Sequence, residues 1–423
     1  MATAAVSQQR NIVIVGGGII GCTTAYYLAT HPASASGETK VTLIEASEGG
    51  AAQGASGKAG GLVAKWAYPS ELVDVSFAEH VRLAEEHDGA GRWGWRFVGC
   101  GSWQGRGEAG DDGAGSGAGV AGRRKSLEKT LGLGGGSEWK RRRDTFGLPD
   151  DLDWVQEGLT TAYSAMAPAG DTAQVHPYLF TTRMLALAQE RGVVFVRGKA
   201  HAIGIDSHTR TVSGVTYTTA AGDEQTIPAT HAVLAAGVWS AALLPALPIE
   251  GTRAHSITIR PTQDTVIAPY VLFTEILLPP SGSRARRHTE EASPEIYARP
   301  DNEVYCCGPG DDSAVPETVD DVEVDESACD AIKEHVSSIS AQLREGRVER
   351  KQACFLPVVR SSGGGGPIVG EAKSVAKGLV IATGHTCWGI CNAPGTAKAV
   401  AELIMDGKIS CANLNKLHPD RFL

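Results

Sequence analysis

The sequence predicts an α/β protein that opens with a Rossmann-like unit and continues into a second unit built on a largely antiparallel sheet. Three observations carry this. Residues 11–15 are a short β-branched apolar run that ends in Gly16-x-Gly18-x-x-Gly21, and residues 22–30 then carry Ala25, Leu28 and Ala29 at helical spacing. Residues 41–45 form a second apolar run that closes on Glu45. Four short apolar runs at 256–259, 270–273, 296–299 and 304–307 follow further along, with the spacing of antiparallel strands.

Each element has its reason. In the first unit Gly16 permits a tight turn, Gly18 lets backbone N–H groups approach a pyrophosphate, and Gly21 lets helix and strand pack closely. Ile19 and Ile20 open the helix, whose unsatisfied N–H groups and dipole favour an anion. Glu45, followed by Ala46, stands at the end of the next strand, where a carboxylate can accept hydrogen bonds from a ribose. Residues 178–191 carry a helical pattern that ends at Gly192. Strands follow at 193–196, 211–218 and 231–235, the last turning at Ala236 and Gly237. Residues 281–291 and 308–326 read as charged loops, and 328–343 as one helix. A strand at 378–382, a Gly-rich turn and a helix from about 395 to 405 end the pattern.

Residues 101–147 differ in kind. Thirteen of the 52 glycines lie between 101 and 136, and nine Lys/Arg outnumber six Asp/Glu over the whole stretch. That composition buries too little apolar surface to offset chain entropy, so it is expected to be a flexible Gly-rich insertion. The sharper alternative is a basic docking patch for a protein partner at Arg141-Arg142-Arg143.

Composition excludes several classes. With 39 Lys+Arg against 48 Asp+Glu, the net charge of −9 argues against nucleic acid as a partner. No apolar run approaches membrane-spanning length, and residues 1–10 lack a signal pattern, so a cytoplasmic protein without a transmembrane segment is expected. Nine cysteines, an odd number without paired CxxC motifs, point to free thiols and no metal.

Three segments add to the glycine turn. Residues 53–63 read Gln-Gly-Ala-Ser-Gly-Lys-Ala-Gly-Gly-Leu-Val, residues 233–239 read Val-Leu-Ala-Ala-Gly-Val-Trp, and residues 378–395 hold Gly384, His385, Trp388, Gly389 and Ile390 before the last helix. With these the chain resembles the FAD-dependent oxidoreductases of the D-amino-acid oxidase superfamily, which includes glycine oxidase, sarcosine oxidase and fructosyl amino acid oxidases. The resemblance covers most of the chain outside 101–147. It implies a glutathione-reductase-type FAD-binding domain from residues 1–75, 175–245 and 346–423. A substrate domain with a mixed, largely antiparallel sheet then comes from 76–174 and 246–345. It also implies roles. Ser56, Gly57, Lys58, Gly60, Gly61 and Leu62 would line the pyrophosphate and flavin edge. Val196 would clasp adenine through its backbone, and Ala236, Gly237 and Trp239 would pack on the FAD. Gly384, His385, Trp388, Gly389 and Ile390 would set the last helix toward the flavin. The implied reaction passes a hydride from the carbon beside an amine nitrogen to flavin N5; the imine hydrolyses, and O2 or another acceptor takes the electrons.

The substrate end is less specified. Lys65, His385 and Arg360 are the catalytic candidates, with Arg253 and Arg299 as further cations for a substrate carboxylate. Cys354 stands where some members attach the flavin covalently, with Lys351 near enough in sequence to lower its pKa; non-covalent FAD is expected. Two departures stand out. Leu356-Pro357 replaces an Arg-Pro, and the stretch 293–310 has no Lys where sarcosine oxidases carry one, Cys306 falling near that position. Two other readings stay open: an NAD(P)-dependent dehydrogenase, and an FAD-binding scaffold or trafficking factor with little amine oxidase activity.

Overall fold

The computed structural model describes residues 9–108, 147–279, 290–361 and 366–423. The Rossmann pattern forms as read. Strands β1 (Arg10–Val15) and β2 (Thr39–Glu45) flank helix α1 (Ile19–Thr30), and they pair in parallel. A short helix α2 (Ala55–Lys58) leads into β3 (Leu62–Ala64). Helix α3 (Ser70–Glu86) then buries Leu72, Val73, Phe77, His80 and Leu83 along one face. Helix α4 (Gly89–Trp93) and strands β4 (Arg96–Phe97), β5 (Gly99–Arg106), β6 (Thr160–Ala165) and β7 (Thr172–Gln174) follow.

The middle of the chain returns to the first sheet. Helix α5 (Pro177–Gln189) packs on α1 and leads to β8 (Val194–Asp206), β9 (Thr211–Thr219), β10 (Glu224–Pro228) and β11 (His231–Leu234), with helix α6 (Ser240–Leu243) after the turn. The strands β12 (Ile249–Arg260), β13 (Tyr270–Leu277), β14 (Glu291–Ala292), β15 (Glu295–Ala298) and β16 (Val304–Asp311) come next. Helices α7 (Glu326–Ser337) and α8 (Ala341–Glu345), strands β17 (Arg347–Val359), β18 (Ile368–Glu371) and β19 (Leu379–Thr383), and helix α9 (Gly389–Asp406) complete the chain.

Two eight-stranded sheets result. The first has the order β10-β9-β8-β2-β1-β11-β19-β18 and is parallel through its centre. The second has the order β17-β12-β16-β15-β13-β5-β6, with β14 paired to β13; only β13–β5 is parallel. Strands β3, β7 and β4 form a small third sheet. The second sheet is buried on both faces. Ile257, Leu272, Ile296, Val304 and Cys306 face a core shared with Val336 of α7, while Tyr297, Tyr305 and Cys307 face the core shared with the first sheet.

Several expectations are corrected. Residues 101–106 are not part of a loose insertion but lie in β5, which is paired on both sides and buries Trp103 completely. The rest of the Gly-rich stretch, with the Arg141-Arg142-Arg143 patch, lies outside the described residues. The boundary at 346 falls too early. Strand β17 is hydrogen-bonded along its length to β12, from Ile249↔Val359 to Arg260↔Arg347, and so belongs to the second sheet. This paired ladder spans two cores: Ile249 and Val359 pack under the first sheet, Ile259 and Val348 at the α7 side. The helix expected at 328–343 is two helices, because Ser340 turns out to cap the second through Leu343 N–H at 3.2 Å. No disulfide joins any of the nine cysteines. Among the described residues no helix is long and apolar enough to cross a membrane.

Candidate active site

The glycine turn behaves as its spacing demands. Gly16 has φ +110°, and a Cβ on Gly21 would lie 1.9 Å from the Gly16 carbonyl oxygen, so helix α1 can leave the strand only without side chains there. The N-cap residue of α1, Gly18, has no side chain to cap it. The Ser56 hydroxyl accepts from the Ile19 N–H at 2.8 Å, and the end of the helix opens into a cavity of about 350 Å³. Glu45 lies beside it. Its carboxylate accepts from the Gly17 N–H at 2.6 Å and the Ser47 N–H at 2.8 Å. Burial pushes its pKa up, against the pull of those N–H groups.

The cavity gathers most of the sequence-derived residues. Gly16, Gly18, Ile19, Ile20, Glu45 and Ala46 line one end, with Ala236, Gly237 and Trp239 from the turn after β11. Ser56, Lys58, Gly60, Gly61 and Leu62 line the middle, and Gly384, His385, Trp388, Gly389 and Ile390 the other side. Gly21 and Gly57 stand behind this wall as packing positions, a Cβ on Gly57 meeting the Ala52 carbonyl oxygen at 2.0 Å. Val196 does not reach the cavity. It pairs with Ile44, and the next residues of the same strand, Gly198 through His201, line the space.

The second helix end needs a partner from far away. Helix α9 begins at Gly389, earlier than its sequence suggests, and contains Pro394. Proline has no N–H, so the Ile390 carbonyl loses its helical donor. The His80 ring of α3 supplies one, Nε2 donating to the Ile390 oxygen at 3.0 Å and the Cys391 oxygen at 3.2 Å. Burial pushes the His80 pKa down to about 4, which keeps the ring neutral. His385 is also neutral: it is buried, its Nε2 lies 3.0 Å from the Thr396 hydroxyl, and burial lowers its pKa to about 3.

Five residues weighed for the substrate end are drawn elsewhere. Lys65 points away from the cavity, its ammonium 2.7 Å from Asp171 and over the Phe77 ring. Arg360 pairs with Glu250 at 3.2 Å on the surface, both half-exposed. Cys306 faces the α7 core, because adjacent residues on a strand point to opposite faces; Cys307 is the cavity residue. Arg253 holds Asp311 at 3.1 Å, and the buried Arg299 holds Glu303 at 2.8 Å and the Ala59 carbonyl. Lys351 cannot act on Cys354. It lies on the opposite face of β17, bound to Glu326 and Asp330, and burial raises the Cys354 thiol to about 11 with only Lys58 pulling it down.

The sequence reading missed the far wall. Phe273, Glu295, Tyr297, Tyr305, Cys307, Ala254, Cys354 and Leu356 reach it from five strands of the second sheet. Strand alternation places Glu295 and Tyr297 together, as it does Tyr305 and Cys307. The Tyr297 ring lies 2.8 Å from where a Cβ on Gly60 would sit, so that glycine is what lets the two walls close up. The expected loop at 308–326 also contributes: Glu317, Thr318 and Val319 line the Glu45 end, and Asp320 accepts from the Ser47 hydroxyl at 2.6 Å.

The lining fits an FAD. One end has glycines, a helix terminus whose Gly18 N-cap leaves backbone N–H groups open, and a carboxylate for a nucleotide; near the other, the buried Trp388 Nε1–H has no hydrogen-bond partner among the described residues.

Comparison with known proteins agrees. The family described as FAD-dependent oxidoreductase (DAO) matches residues 11–403. TDA3 of Saccharomyces cerevisiae, by name a presumed oxidoreductase with no substrate given, is 34% identical over 97% of this chain and 94% of its own. A Schizosaccharomyces pombe protein named in the same way is 30% identical over 98% and 99%. Among solved structures, glycine oxidase from Bacillus cereus superposes with a TM-score of 0.65 at 19% identity, covering 95% of this chain and 98% of that one. Iminodiacetate oxidase from Chelativorans sp. superposes at 0.66 with 18% identity, over 96% and 98%.

Proposed function

The chain belongs to the DAO family of FAD-dependent oxidoreductases, and on that premise we propose that it oxidises the C–N bond of an amine or N-substituted amino acid. The observation that carries this reading is one cavity with two unlike ends: a glycine-lined nucleotide end and an aromatic recess under the second sheet. When bound, FAD supplies the two-electron oxidation, accepting a hydride from the carbon beside the nitrogen.

The chain's own residues supply placement. Gly16, Gly18, Ser56 and the start of α1 would hold the pyrophosphate, and Glu45 the ribose. Trp388 Nε1–H would donate to the flavin or to the substrate beside it. Phe273, Tyr297 and Tyr305 would keep water from the reacting carbon. His385, neutral and tied to Thr396, braces the turn before α9 and is proposed as a positioning residue rather than a base. The residues proposed to bind the nucleotide lie mostly within 1–75, 175–245 and, after β17, 360–423, with Glu317, Thr318 and Val319 closing the Glu45 end. Those that would select substrate come largely from the second sheet.

The test is anaerobic mixing of the yellow holoprotein with a panel of primary amines, secondary amines and N-substituted amino acids. Bleaching of the flavin bands by one class supports the proposal. A flavin that stays oxidised with every member, yet is reduced by alcohols or hydroxy acids, overturns it.

A further inference from the structure

We infer that residues 312–322 form a strap that gates the nucleotide end of the cavity, and that Asp320 is its latch. This rests on the reading of the Glu45 end as the seat of the FAD nucleotide, and is independent of which substrate the flavin oxidises.

The strap leaves the second sheet and returns to it. It joins β16 to α7, and both of its ends are tied to β12. Arg253 holds Asp311 at 3.1 Å, and the Asp325 N–H donates to His255 Nε2 at 2.9 Å. Between these ties the chain crosses to the first unit, where Glu317, Thr318 and Val319 line the cavity. The contacts that hold it there are polar. Trp239 Nε1–H donates to the Pro316 carbonyl at 2.9 Å, and Lys199 pairs with Glu317. Asp320 accepts from the Ser47 hydroxyl at 2.6 Å and from the Glu48 N–H at 2.9 Å. The turn that presents Asp320 is set in advance, because Asp321 accepts from the Thr318 hydroxyl at 2.7 Å and the Thr318 N–H at 3.2 Å.

This is the build of a gate rather than of a fixed wall. None of residues 312–322 is buried. Lifting them opens no core and costs only the polar contacts, so the strap belongs to the part of the molecule that opens locally. Those contacts differ in weight. The Lys199–Glu317 pair is exposed and contributes little. The Trp239 bond joins two neutral groups. Asp320 makes two bonds to one carboxylate, the stronger kind. Its seat is also the right one for a latch on this ligand: the Ser47 N–H donates to Glu45 Oε1 at 2.8 Å, so one residue holds both the strap and the carboxylate meant for the ribose.

The latch joins protein to protein, so its bonds must break both to admit the nucleotide and to release it. Weakening it should speed both passages and leave the affinity nearly the same. The test follows flavin fluorescence during FAD uptake by the apoprotein, and during release from the holoprotein into an excess of a competing flavin-binding apoprotein. In Asp320→Ala both rates should rise about tenfold, with Kd changed by less than about threefold. Ser47→Ala keeps the N–H to Glu45 and the Glu48 arm of the latch. It should raise both rates less, and add nothing to Asp320→Ala. If Asp320→Ala does not fold, Ser47→Ala decides alone. Unchanged rates in a folded variant overturn the inference. So does faster release with unchanged uptake, which would make Asp320 a residue of affinity and not of passage. A Gly18→Val protein that keeps its flavin would remove the nucleotide seat and the gate together. A colourless Gly18→Val beside unchanged rates in Asp320→Ala would remove the gate alone.

Discussion

The two walls of the cavity are built from different material. The wall on the first sheet presents backbone: the turn at Gly16–Gly21, the run Gly60–Leu62 and the starts of α1 and α9. The wall on the second sheet presents side chains, set on alternate positions of five strands. A backbone wall tolerates almost no substitution, since any Cβ fills the space the ligand needs. A side-chain wall can change one residue at a time while its strands stay paired. The first therefore suits a group common to a whole family, and the second suits what differs between members.

The largest effect should come from adding a side chain to the backbone wall. A Cβ on Gly18 meets only the Ser56 side chain, its hydroxyl at 3.0 Å, so Gly18→Val should fold and yet lose nearly all of its flavin. Absorbance and circular dichroism of the purified variant check this; a folded variant with full yellow colour would break the contrast between the walls.

Next in size is the pH dependence of the support behind α9. The folded His80 pKa, about 4, lies below its ordinary 6.5, so the unfolded chain takes up the proton first as pH falls. Stability that depends on neutral His80 is full above 6.5 and is lost as pH falls toward 4. Each unit of separation corresponds to about 1.4 kcal/mol. His176, His231 and His255, also lowered by burial, act with the same sign. The melting temperature should therefore fall between pH 7 and 5, and His80→Asn should fall less steeply from a lower starting value. Parallel curves would show that the proton is taken up elsewhere.

Smaller still are the charged candidates that point away. Lys65→Ala and Arg360→Ala each break an exposed pair and should cost about 1 kcal/mol or less, with flavin content unchanged. Loss of colour in either would return that residue to the site. At the bottom of the scale, Cys354→Ala should change flavin content not at all. A buried thiol near 11 supplies little thiolate, and acid precipitation of wild type should leave the yellow colour in solution. Colour in the pellet would show a covalent bond.

The backbone wall was legible in the sequence because glycine spacing is a pattern with one physical meaning, and Glu45 follows at a fixed place. The side-chain wall was not, for a reason seen in residues 295–298. Glu295 and Tyr297 face the cavity while Ile296 and Ala298 face the core, but all four are buried, so no alternation of exposed and buried residues marks the face. Strand β17 was hidden by its charged first half, Arg347 to Lys351, which lies along the edge of its sheet. The early start of α9 was hidden by Pro394, whose missing N–H is compensated by a histidine remote in sequence. Helix α3 did carry a signal, with Leu72, Val73, Phe77, His80 and Leu83 at helical spacing.

The ladder of β12 and β17 bears on how the molecule can move. Its two strands stay paired, with one bulge between Thr258 and Ile259, from the core under the first sheet to the core beside α7. In mechanical terms it is a beam embedded at both ends. A hinge between the walls would have to snap a row of backbone hydrogen bonds, so the gap between them is set by construction, like the throat of a fixed gauge. What enters must fit that throat or pass around its rim, and selection by size then falls to the rings that line its second-sheet side.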